Sequence, residues 1–206
     1  MPMNPLEAHV DEVLLQRMRR GDEVAFAALA TRYWGAVYRI GWNMLPDPSA
    51  AGELAEAAML SALRSAGQSN CDVPFRTALY RQAMSESLVR LHSAPPPDTR
   101  SVGALLPRFD AYGRLASADG ERFQSGATAF GRLDAGTRIR DTLQNLDPLD
   151  RAAFVLREIE QLSVDDTAAV LAISPESVRQ RTHRALLILM GSLGELHAAS
   201  RRASLS

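Results

Sequence analysis

Apolar residues recur at steps of three and four along two stretches, Val10 to His92 and Arg138 to His197, and that period is the signature of helices that bury one side. The chain is therefore expected to be all-α. Between the stretches, from Ser93 to Thr137, the period is lost. The run Pro95-Pro96-Pro97 and the glycines scattered from Gly103 to Gly136 remove both helix and strand propensity there. A structureless segment of this length inside one domain is uncommon. The expected architecture is two small helical domains, 10–92 and 138–197, joined by a long irregular linker over 93–137. Leu105, Leu106, Phe109 and Tyr112 are too apolar for a fully solvated tether, so part of the linker is expected to dock.

Boundaries can be placed from local chemistry. Gly21 closes a short helix ending near Arg20, and Asp22 stands ready to cap the next. That next helix carries Phe26, Leu29, Tyr33, Val37, Ile40 and Met44 inward and stops before Pro46. Two more helices follow, Gly52 to Ser65 with Leu54, Ala58 and Leu63 inward, and Pro74 to Leu91 with Phe75, Leu79 and Ala83 inward. Four such helices make a bundle. Trp34 and Trp42 flank the apolar stripe of the long helix and are expected to pack in the core or at its rim.

The C-terminal stretch holds the most informative pattern. Ser163 followed by Asp166 reads as a capping box that opens a helix through Leu171. Ala172 and Ile173 form a turn, Ser174 is a good N-cap and Pro175 suits the first helical position. Helix, tight turn, helix is the result. On the second helix Val178, Thr182, Ala185 and Leu189 share one side, while Arg179, Gln180, His183 and Arg184 occupy the other and Arg181 lies at the flank. Guanidinium groups pair with guanine edges or grip phosphates, and glutamine pairs with adenine, so this outward side has the chemistry of DNA recognition.

Charge makes any such contact local. The formal net charge is −1, from 23 basic and 24 acidic residues, which is not the balance of a protein that coats nucleic acid without selectivity. All the basic residues are arginine, as expected from a GC-rich genome. The apolar fraction of 46% fits a folded globular chain. No apolar run approaches the roughly 20 residues that span a bilayer, and the N-terminus lacks a basic-then-apolar leader, so a cytoplasmic protein without membrane insertion is expected. Cys71 alone makes no internal disulfide.

From Leu143 to Leu186 the sequence LQNLDPLDRAAFVLREIEQLSVDDTAAVLAISPESVRQRTHRAL strongly resembles the C-terminal promoter-binding domain of extracytoplasmic-function (ECF) sigma factors, the compact branch of the sigma-70 family of bacterial RNA polymerase specificity subunits. In that family the domain recognises the −35 promoter element. The resemblance assigns DNA contacts to Arg179, Gln180, Arg181, His183 and Arg184. From Leu14 to His92 the chain is similar to the family's other domain, through GDEVAFAALATRYWGAVYRIGWNML and PFRTALYRQA, a domain that grips polymerase and opens the −10 element. There the resemblance implies polymerase contacts at Glu53 and Glu56 and DNA-backbone contacts at Arg76, Arg81 and Arg90.

Several positions depart from the family pattern. Glu56 stands where glutamine is common, and Ala57 and Leu63 stand at the usual glutamate and tryptophan. Ala78 replaces a tryptophan, Ser85 and Val89 replace polar residues, and Ala172 stands where the turn commonly has glycine. These departures motivate an alternative: a sigma-like regulatory module that binds a protein partner and does not open promoters. On the leading reading the partners are promoter DNA, core RNA polymerase and an anti-sigma factor, with no small-molecule substrate and no cofactor. No phosphate loop, metal-binding helix or nucleophile motif occurs, and His9, His92, His183 and His197 are scattered, so neither catalysis nor a metal site is expected.

Overall fold

The computed structural model describes residues 5–47, 49–68, 73–93, 104–108, 119 and 135–203. All regular structure among them is helical: α1 (Pro5–Arg19), α2 (Glu23–Met44), α3 (Ser49–Gln68), α4 (Phe75–His92), α5 (Ala135–Gln144), α6 (Pro148–Phe154), a π-helical turn (Val155–Ile159), α7 (Val164–Leu171) and α8 (Pro175–Ala203). Two compact units emerge, one of Met1–Pro95 with Val155–Arg179, the other of Pro96–Phe154 with Gln180–Ser206. Cys71, Phe109, Tyr112 and the proline run lie outside the described residues.

In the first unit the bundle α1 to α4 is set by its caps. Gly21, at φ +85°, turns the chain out of α1. Asp22 then accepts the N–H groups of Val24 and Ala25 at 3.0 and 3.2 Å and pairs with Arg17 at 2.7 Å. Those donors, Arg17 foremost, hold the Asp22 carboxyl below the usual carboxylate range. At the far end Leu45 is extended, as a residue before proline prefers, and α2 stops. Asp47 begins α3 by accepting the Ser49 N–H at 2.9 Å.

The buried line of α2 is Ala25, Leu29, Tyr33, Val37, Ile40 and Met44, which packs against Leu54, Ala58 and Leu63 of α3 and Phe75, Leu79 and Ala83 of α4. Each large aliphatic side chain buried there contributes about 1.5–3 kcal/mol relative to exposure. Phe26 corrects the expectation: it is 40% exposed, because the inward row starts one residue earlier, at Ala25. Trp34 and Trp42 also lie outside the core, 43% and 38% exposed, and the Trp42 ring stacks on Tyr38 with centroids 6.2 Å apart. Tyr33 does turn inward, its hydroxyl donating to the buried Asp11 carboxylate and its ring meeting Phe75 edge-on at 5.6 Å.

The π-helical turn and α7 belong to the same unit. Arg39 of α2 holds Glu160 through two hydrogen bonds of 2.9 Å, and α7 packs along α4. In the second unit, α6 is joined to the end of α5 by Arg151. This guanidinium, 2% exposed, donates to the Gln144 side chain at 2.8 Å and to the Gln144 carbonyl at 2.6 Å. Burial pushes its pKa down to about 10, which leaves it charged at neutral pH. Residues 104–108 run beside α8, where a side chain on Gly191 would come within 2.3 Å of the Leu105 carbonyl oxygen, so only glycine allows that approach. Helix α8 continues to Ala203, past the expected limit at His197, through an alanine-rich segment with high helix propensity.

Candidate nucleic-acid interface

Two caps and one left-handed residue build the helix-turn-helix. The Ser163 hydroxyl oxygen accepts the Asp166 N–H at 3.0 Å and its proton goes to the Asp166 carboxylate at 2.7 Å. The box thus closes through the side chains. Ala172 ends α7 at φ 55°, ψ 42°, a left-handed conformation that strains a residue with a Cβ. Ser174 then accepts the Ser177 N–H at 3.1 Å, Pro175 supplies the first helical residue, and α8 begins.

That start fixes the rotation of α8, and the two faces separate cleanly. Val178, Ala185 and Leu189 are fully buried and Thr182 is nearly so. Arg179, Gln180, His183 and Arg184 are exposed. The Arg179 guanidinium makes one loose pair with Glu176, 3.5 Å away on the preceding turn. Such exposed pairs are worth little and yield readily to a ligand.

The other two arginines are tied from behind. Asp150, in the first turn of α6 and 2% exposed, takes a hydrogen bond from Arg181 Nη1 at 2.8 Å and lies 3.5 Å from Arg184 Nε. Asp147 also meets Arg181 Nη1, at 3.4 Å. Burial pushes the Asp150 carboxyl up, and the Arg181 hydrogen bond opposes that push. Sequence reading missed these two aspartates, since 31 residues separate Asp150 from Arg181 and no periodicity links them.

The motif that carries this geometry also carries the family. Residues 137–189 match the protein-family profile described as Sigma-70, region 4. Over 177 residues the chain is 30% identical to the RNA polymerase sigma-H factor of Pseudomonas aeruginosa, a match covering 85% of this chain and 89% of that one. It is 26% identical over 186 residues to the ECF RNA polymerase sigma-E factor of Haemophilus influenzae, with 87% and 93% covered. The chain belongs to the ECF branch of the sigma-70 family. The solved structure of CnrH in complex with the cytosolic domain of CnrY shares its fold, with a TM-score of 0.60, 21% identity, and 92% and 98% of the two chains covered. As a sigma factor it serves promoter-directed transcription initiation, and the alternative of a module that no longer does so is not favoured.

In this sigma factor the remaining expected site residues sit on α3 and α4. Arg76 is half-buried with its guanidinium 5.9 Å from the centre of the Tyr80 ring. Arg81 is exposed and donates to the Ala169 carbonyl of α7 at 2.8 Å. Arg90 pairs with Glu86 at 3.0 Å and with Glu53 at 3.7 Å, which brings an expected DNA contact and an expected polymerase contact together. Glu56 is exposed on the same side of α3 as Glu53. Among the described residues no cluster of histidine, cysteine or carboxylates is arranged to hold a metal, and no helix is long and apolar enough to cross a membrane.

Proposed function

We propose that this sigma factor divides its work between two stretches of chain. Residues 138–197 read the upstream promoter element, and residues 10–92 engage core RNA polymerase and the downstream element, with 93–137 as their linker. Arg179, Gln180, His183 and Arg184 face the major groove, Arg181 stands at the flank, and Glu53 and Glu56 meet basic polymerase residues. Arg76, Arg81 and Arg90 approach the DNA backbone on the other stretch, Arg81 after releasing Ala169. The reading is supported by one observation above all: the helix that starts at Pro175 buries its aliphatic side and exposes its cationic side.

The work is done by binding free energy, with no reaction at the chain itself. A bidentate arginine–guanine pair discriminates against a wrong base by about 1–3 kcal/mol, and phosphate contacts add salt-sensitive affinity. Two modest sites on one linker reinforce one another through effective concentration. The protein acts in the cytoplasm, where its polymerase and promoters are, and a sequestering anti-sigma partner is the form of control that the family resemblance implies. In vitro transcription with core enzyme on a promoter library tests this reading. Discrete transcripts that depend on the chain are expected; stable capture of a protein partner with no transcript from any promoter contradicts it.

A further inference from the structure

We propose that Asp150 is a specificity-setting residue that acts through the recognition helix, holding Arg181 as a strut and Arg184 in a fixed pose so that neither roams the phosphate backbone. The inference rests on the promoter-binding reading of α8. Its geometric basis is an asymmetry. Asp150 is buried, whereas Arg184 is 59% exposed and Arg181 one-third exposed, so a carboxylate inside the fold anchors two cations at its surface. Arg181 directs a single nitrogen, Nη1, to both Asp150 and Asp147, which neutralises much of its charge locally. Arg184 meets Asp150 through Nε, and that contact leaves its two terminal nitrogens for a ligand.

The consequence follows from what each arginine must break to bind DNA. Should Arg181 swing to a phosphate, it would leave a buried carboxylate short of its closest cation, so that movement is opposed. Arg184 keeps its anchor while its terminal nitrogens engage a base edge, so recognition by that pose is not opposed. Non-specific binding, which draws on any mobile cation near the phosphates, is thereby suppressed relative to specific binding. Removing the Asp150 charge releases up to two guanidiniums to the backbone. Each added phosphate contact raises non-specific affinity roughly fivefold near physiological salt and steepens the log–log salt slope by about 0.9.

The test uses holoenzyme reconstituted from core polymerase and the full chain, carrying wild type, Asp150→Asn or Asp150→Glu. Binding is measured across a potassium chloride series, on a promoter fragment from the transcription screen and on a scrambled duplex of equal length and composition. The core enzyme's own contribution is common to all variants and cancels between them. Asp150→Asn is expected to bind the scrambled duplex at least fivefold more tightly, with a steeper salt slope, and to lose a similar factor of discrimination; Asp150→Glu is expected to recover most of it. A merely structural role would weaken both duplexes together and leave the slope unchanged, and that result overturns the proposal. Should Asp150→Asn misfold, Arg181→Gln serves in its place: discrimination is then expected to fall without a steeper slope, and unaltered discrimination counts against the strut. A wild-type chain that fails to distinguish the two duplexes overturns promoter binding and this proposal with it. Wild-type discrimination that persists unchanged in Asp150→Asn overturns this proposal alone.

Discussion

Glu53 of α3 lies 3.7 Å from Arg90 of α4, and its side chain is still 77% exposed. A pair this open is worth about 0–1 kcal/mol. Glu53→Ala is therefore expected to leave the thermal midpoint nearly unchanged while weakening assembly with core polymerase. Circular dichroism melting and a core-binding titration separate the two effects. A large loss of stability with unaltered assembly would make Glu53 a structural residue.

The cap of α2 has a pH signature. The folded state holds the Asp22 carboxyl below its usual value of 3.8, so its charge stabilises the fold above that pH, and the contribution is lost as pH falls through the folded value. Asp22→Asn keeps a capping side chain and removes the charge. The wild-type advantage in melting temperature over this variant is expected at pH 6 to 7 and is expected to vanish in strong acid. A difference that stays constant across that range contradicts the assignment.

Ala172 carries a strain that glycine would not. At φ 55° an alanine is disfavoured by about 1 kcal/mol, so Ala172→Gly is expected to stabilise the helix-turn-helix by a similar amount. Denaturant unfolding followed by helicity reads the gain. Ala172→Val, with a branched Cβ in the same conformation, is expected to destabilise.

The inward face of α8 gives the opposite kind of variant. Leu189 is fully buried, and Leu189→Asp places an unpaired charge among apolar side chains, a change expected to unfold the region around it by more than about 4 kcal/mol. Wild-type helicity and melting temperature in that variant would mean that the helix is rotated from the orientation described.

Local chemistry was legible in the sequence, and distant pairing was not. Asp22, Ser163, Ser174 and Pro175 could be placed because a cap acts within three residues of itself. The two faces of α8 could be placed because helical period alone separates Val178, Thr182, Ala185 and Leu189 from the arginines. Phe26 was misplaced because its neighbour Ala25 continues the same three- and four-residue steps, and hydrophobicity favours the larger side chain. Trp34 and Trp42 were drawn inward by the same weighting. Asp150 with Arg181, Arg39 with Glu160 and Arg81 with Ala169 are joined only by tertiary packing, which leaves no periodic mark. The π-helical turn and the positive φ of Gln161 likewise have no local sign.

The central claim is that the exposed arginines of α8 hold promoter DNA. Holoenzyme carrying Arg179→Ala together with Arg184→Ala, titrated with its promoter at several salt concentrations, tests it most directly. The account predicts weaker binding and a salt slope flatter by about 0.9 for each phosphate contact removed. Binding that matches wild type at every salt concentration would contradict it.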